Sequence, residues 1–143
     1  MSTPVTASPI YRHSPGPLHA VMMGGAVALF LGALLSDIAY FQTYQIQWSN
    51  FASWLIAGAL VFCGIALLFA LANLIRAHRK AGRPVMYVLL LVATWVLGLF
   101  NAFAHARDAW ASMPSSLVLS VIVTVLAIAS AWAGLGSRRE VAP

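Results

Sequence analysis

Charge is what this sequence has least of. Only 8% of its 143 residues are Asp, Glu, Lys or Arg, and three of those are acids: Asp37, Asp108 and Glu140. Soluble domains carry about 25% charged residues, so too little charge is present to cover a water-facing surface. A disordered chain needs low hydrophobicity and high charge, whereas 62% of this one is hydrophobic, with mean hydropathy +0.88. A water-soluble monomer and a disordered chain are both excluded. The single cysteine, Cys63, rules out an internal disulfide, a Cys-x-x-Cys redox pair, c-type haem attachment and a cysteine zinc cluster. Gly-x-Ser-x-Gly, His-Glu-x-x-His and phosphate-loop motifs are missing as well. No enzyme is expected.

Long apolar runs are what is present. A hydrocarbon core about 30 Å thick takes about 20 apolar residues as helix, and four stretches qualify, at about 18–40, 51–75, 84–106 and 116–136. Lipid offers no backbone partners, so each must bond within itself as helix. A barrel needs alternating polarity, which the Val- and Ile-rich runs lack. The expected architecture is all-α: an integral membrane four-helix bundle over residues 17–137, with tails at 1–16 and 138–143. Residues 1–16 hold Pro4, Pro9 and Pro15 among several Ser and Thr, a composition without packing power. Pro84 suits a first helical turn, and Pro114-Ser115-Ser116 suits a turn followed by an N-cap. The first apolar run exceeds the 7–15 residues of a signal peptide, so it is read as a mature span.

Basic residues set the orientation. Arg12, then Arg76, Arg79, Lys80 and Arg83, then Arg138 and Arg139 fall on one side of four spans, and only Arg107 on the other. Both termini are therefore expected in the cytoplasm. The net charge of +5 and pI of about 10.2 then report orientation and lipid headgroup contact, not nucleic acid.

Helices associate in lipid where small residues allow close approach. Ala20, Gly24, Ala28, Gly32 and Ser36 repeat every four residues in the first span, and Thr94, Gly98, Ala102 and Ala106 in the third. The fourth offers Ser116, Ser120, Thr124, Ala127 and Ala131. The stripes predict a compact bundle with the first and third spans tightly apposed; a dimer contact is the competing use of one stripe.

Polar groups within spans are costly and mark candidate sites. Tyr87, Thr94, Asn101 and Asp108 repeat every seven residues, with Gly98 and His105 between them. Asn101 and His105 share one face, suited to hydrogen bonds between helices or to ligand or proton handling by His105. An Asp37–Arg107 pair is expected to join the first and third spans, with Asp108 and His105 as competing partners. Asp37, Asn101, His105, Arg107 and Asp108 thus form the expected polar network, and Tyr40, Tyr44, Trp48 and Trp110 the expected partner-facing rim. Aromatic belts at the membrane boundary alone also account for such a rim. His19 and His105 are the candidate cofactor ligands, but a shared haem needs two imidazoles at one depth. Their places in the sequence put them at opposite faces. Asn73 is the only strongly polar residue deep in the second span, and no carboxylate lies at mid-membrane. No metal ligand set is visible.

Three stretches resemble a family. Ser36-Asp37-Ile38-Ala39-Tyr40, Thr43, Trp48 and Phe51 to Leu55, together with Asn101 through Trp110 and Leu117 to Ser120, resemble the domain of unknown function 2231. The resemblance covers roughly residues 16–136. It implies a four-span protein of the bacterial inner membrane, sometimes fused to Rieske-type or cytochrome-like modules, and hence a link to electron transfer with haem b. The family's His-Pro-Leu-His-Pro opening is here Gly16-Pro17-Leu18-His19-Ala20, and a histidine early in the third span is replaced by Tyr87. Leu91 stands for an Asn, Asn73 for an acid, and a closing Tyr-Arg-His-Gly block is missing after Gly136. The chain resembles a divergent member that keeps its far-side blocks and loses histidines on the cytoplasmic side.

The expectation that follows is a non-enzymatic inner-membrane scaffold or accessory subunit. It would associate with a redox or respiratory partner, or with copies of itself, through its periplasmic face. A b-type haem or quinone-linked electron carrier is the alternative. A small solute transporter or channel is the third.

Overall fold

The computed structural model describes residues 16–76, 82–107 and 109–135. The expected tails and the Asp108 site lie outside the described residues. Within them the chain is all-helical: α1 (Pro17–Thr43), α2 (Ile46–Arg76), α3 (Arg83–His105), a four-residue α4 (Ala109–Ser112) and α5 (Ser115–Leu135). Four of these, all but α4, are long and apolar enough to cross a membrane.

Helix ends follow local chemistry. Pro17 and Pro84 sit in first turns, where a missing N–H is no loss. α1 ends at Tyr44 in the left-handed conformation (φ 53°), whose N–H bonds to Tyr40 O at 2.7 Å. α2 begins at Ile46, five residues before the expected start, leaving a two-residue connection. The polar turn Gln47-Trp48-Ser49-Asn50 hides it from a hydropathy count, yet Ser49 is buried and already faces the bundle. At the other junction Ser115 Oγ donates to Ser112 O at 2.7 Å.

Each long helix buries one stripe at alternating steps of three and four. On α2 it is Ser49, Ala52, Ile56, Ala59, Cys63, Ala66 and Ala70. On α1 it runs His19, Met23, Ala26, Phe30, Ala33, Asp37 and Tyr40, on α3 Leu91, Thr94, Gly98, Asn101 and His105, and on α5 Ser116, Ser120, Val123, Ala127 and Ser130. A 3.5-residue repeat keeps a seam facing its neighbours along the whole helix. The opposite faces are apolar and exposed, with Trp54 at 73% and Trp132 at 81%. Lipid is the solvent such a surface fits.

Neighbours run α1–α2–α3–α5 and back to α1, so α1 and α3 lie on a diagonal. This corrects the expected tight apposition of the first and third spans. Gly24 and Ala28 of the four-residue stripe are exposed, and an added Cβ at Gly24 meets nothing within 4 Å. Its neighbour Gly25 makes the contact instead: a Cβ there would stand 2.5 Å from the Phe62 ring of α2. Small residues recur every four along α1 because they suit lipid-exposed positions too; the seam follows the seven-residue repeat. Across the diagonal the Phe30 ring reaches Gly98, 3.1 Å from where a Cβ would lie.

Candidate functional site

Among the described residues two polar clusters lie inside the bundle, one near each end. The larger is built on Asp37, which is fully buried and is the only acid among the described residues. Its Oδ1 lies 2.8 Å from His105 Nε2, and its Oδ2 accepts from Ser120 Oγ at 2.5 Å. Asn101 Nδ2 donates to Ser120 Oγ at 2.8 Å, and His105 Nδ1 lies 2.9 Å from Asn101 O. One carboxylate thus ties α1 to both α3 and α5.

The bonding fixes the protons. A backbone carbonyl only accepts, so His105 Nδ1 carries a hydrogen and donates it to Asn101 O. One further proton lies between Nε2 and Oδ1, because two bare lone pairs would repel. The Asp37–His105 unit is therefore neutral as a whole, whichever atom holds that proton. Burial selects this state, since an unpaired carboxylate would lose several kcal/mol of solvation. The sequence Asn101 to Ser120 to Asp37 to His105 places the carboxylate in the middle. Among the described residues no imidazole of this cluster touches a hydroxyl, so the arrangement lacks the order of a nucleophilic triad.

The expected Asp37–Arg107 pair is not formed. Arg107 lies beyond the end of α3, on the exposed turn after His105. His105, one of the two competing partners, still projects along the helix into the seam and reaches the buried acid. Tyr40 is also misassigned to the rim: it is 2% exposed, because it continues the Ala33 and Asp37 stripe inward. Tyr44 and Trp48 are exposed. Trp110 carries no described side chain.

At this end a cavity of about 510 Å³ opens beside His105 and Arg107, lined also by Gln47, Asn50 and Ser53. Its size falls within the range of about 300–1,000 Å³ usual for ligand pockets. Sequence reading missed it because α2 was expected to begin at residue 51, leaving Gln47 and Asn50 in a loop.

The second cluster stands at the other end. His19 Nε2 lies 2.5 Å from Tyr87 Oη, and the His19 ring also meets Phe69 edge-on. His19 Nδ1 is buried with no hydrogen-bond partner among the described residues. Asn101 Oδ1 and Ser116 Oγ share that condition at the Asp37 end. Tyr87 and His105 are separated by 18 residues of α3, about 27 Å of helix at 1.5 Å each. His19 and His105 are accordingly too far apart to share an iron. Asn73 of α2 is exposed.

A family model described as a predicted membrane protein, DUF2231, matches residues 15–138. The chain belongs to that family. No curated protein and no solved structure matches it. In this DUF2231 chain, Tyr87 is the residue that meets His19. Between the clusters, Thr94 and Ser130 lie 3.2 Å apart, Thr124 Oγ1 donates to Phe30 O at 3.2 Å and Trp95 Nε1 to Leu60 O at 3.2 Å.

Proposed function

We propose that this DUF2231 chain is a non-enzymatic scaffold or accessory subunit of the bacterial inner membrane, with both termini in the cytoplasm. A protein partner, redox-active in the reading the family resemblance favours, docks at the Asp37 end. One observation carries the reading: the only described acid is fully engaged in joining α1, α3 and α5. A group that holds three helices together gives a rigid frame and, among the described residues, leaves no carboxylate free for chemistry. Tyr44, Trp48, Phe51 and Trp54 are exposed at the same end, where aromatic rings anchor a protein at a membrane boundary and supply docking contacts.

The test is a photoreactive amino acid placed at Trp48, with Trp132 at the other end as control. Crosslinking in cells from Trp48 alone to one defined protein is the expected result. Recovery from mild detergent only as a lone chain or homo-oligomer, with no crosslink from Trp48, overturns the reading. A reduced-minus-oxidised spectrum of the same preparation separates a scaffold from a haem carrier, which would show a Soret band.

A further inference from the structure

We propose that the cavity at the Asp37 end is an oxyanion site, built to hold a phosphate group with Arg107 as its anchor. Three observations converge. The cavity holds free donors: the Arg107 guanidinium and the Asn50 amide are exposed at its wall with no partner among the described residues. Gln47 uses one of its two amide hydrogens on Gln45 Oε1 and keeps the other. Second, no carboxylate among the described residues lines it. Asp37 lies behind His105, and their shared proton cancels the charge an entering anion would otherwise meet. Third, the shape is right: about 510 Å³ and open to the outside, so a phosphate can enter with an organic group still attached.

A guanidinium binds phosphate through two parallel N–H···O bonds, and amide donors complete the shell. Phosphate at this position comes from two sources. The cavity lies at the end of four membrane-spanning helices, where a bilayer presents phosphodiester headgroups, and the exposed rings of Tyr44 and Trp48 beside it suit that depth. Free inorganic phosphate or a soluble phosphate ester carries the same chemistry. The site does not depend on the scaffold reading, since a chain that docks no protein would carry it equally.

The experiment uses the purified full-length chain in a neutral maltoside detergent and reads Tm by tryptophan fluorescence. Phosphatidylglycerol and inorganic phosphate are titrated separately. A saturable rise in Tm with phosphatidylglycerol alone assigns the site to lipid headgroups; a rise with inorganic phosphate assigns it to soluble phosphates; both support the oxyanion site. Arg107→Gln is expected to move the midpoint to at least tenfold higher ligand. Arg107→Lys, which keeps the charge and loses the fork, should fall between it and the unmodified chain. Arg76→Gln, an exposed cation on the far end of α2, should leave the midpoint unchanged. No shift with either ligand overturns the proposal, as does an Arg107→Gln chain that titrates like the unmodified one. Equal losses from Arg76→Gln and Arg107→Gln overturn it too, because they reveal general charge attraction.

Discussion

His105 and Asp37, 68 positions apart in the chain, meet at 2.8 Å across the diagonal of the bundle. Neither helix would place its polar group there for its own sake. Each side chain makes the other's burial tolerable, and Ser120 completes the carboxylate's shell from a third helix.

Breaking that relationship should be expensive. Removing one partner of a buried pair costs about 3–5 kcal/mol, so Asp37→Asn and His105→Gln should each destabilise the bundle on that order. The double variant should fall short of the sum by about 0.5–3 kcal/mol, the coupling usual for residues in contact. Arg107→Gln should change stability by less than about 0.5 kcal/mol, as for surface positions away from the network. Equilibrium unfolding in mixed micelles measures all four. Strict additivity of Asp37→Asn and His105→Gln would sink the pair.

The His19–Tyr87 contact makes a parallel case with a different signature. Tyr87→Phe leaves His19 with no partner at either ring nitrogen, and an unsatisfied buried group costs about 1–3 kcal/mol. Replacing both, as His19→Phe with Tyr87→Phe, should recover part of that loss, because no orphan remains. Thermal unfolding of the two variants decides it: a double variant worse than the sum would show that His19 has another role.

Adjacent glycines distinguish the observed seam from the four-residue stripe. Gly25→Leu would collide with the Phe62 ring, 2.5 Å from the new Cβ, and overpacking of this kind costs about 1–3 kcal/mol. Gly24→Ala faces open space and should be neutral within about 0.5 kcal/mol. Thermal unfolding compares them, and equal damage from both would restore the stripe as the contact.

Orientation can be read with thiol reagents. Cys63 is buried and should stay unlabelled in intact membranes, so it needs no replacement. With Arg107→Cys, an impermeant maleimide should react from outside the cell. With Arg76→Cys it should react only after the cytoplasmic side is opened. The reverse pattern would invert the bundle and move the docking face to the cytoplasm.

Amino-acid order alone determined the helical class, the number of crossings and their approximate limits, since the absence of backbone partners in lipid leaves an apolar run of this length only one way to bond. It also marked Asp37, Asn101 and His105, because a polar side chain in such a run demands a partner. Which partner it finds was decided by the tertiary structure. Arg107 and His105 are two residues apart, but His105 is the last residue of α3 and faces the seam, whereas Arg107 lies on the exposed turn beyond it. Likewise Tyr40 and Tyr44 read alike along the chain, and only packing turned one inward and left the other on the rim. The cavity beside Arg107 belongs to neither helix by itself: it exists because α2 starts early enough to bring Gln47 and Asn50 opposite the end of α3, and that meeting depends on how the helices pack.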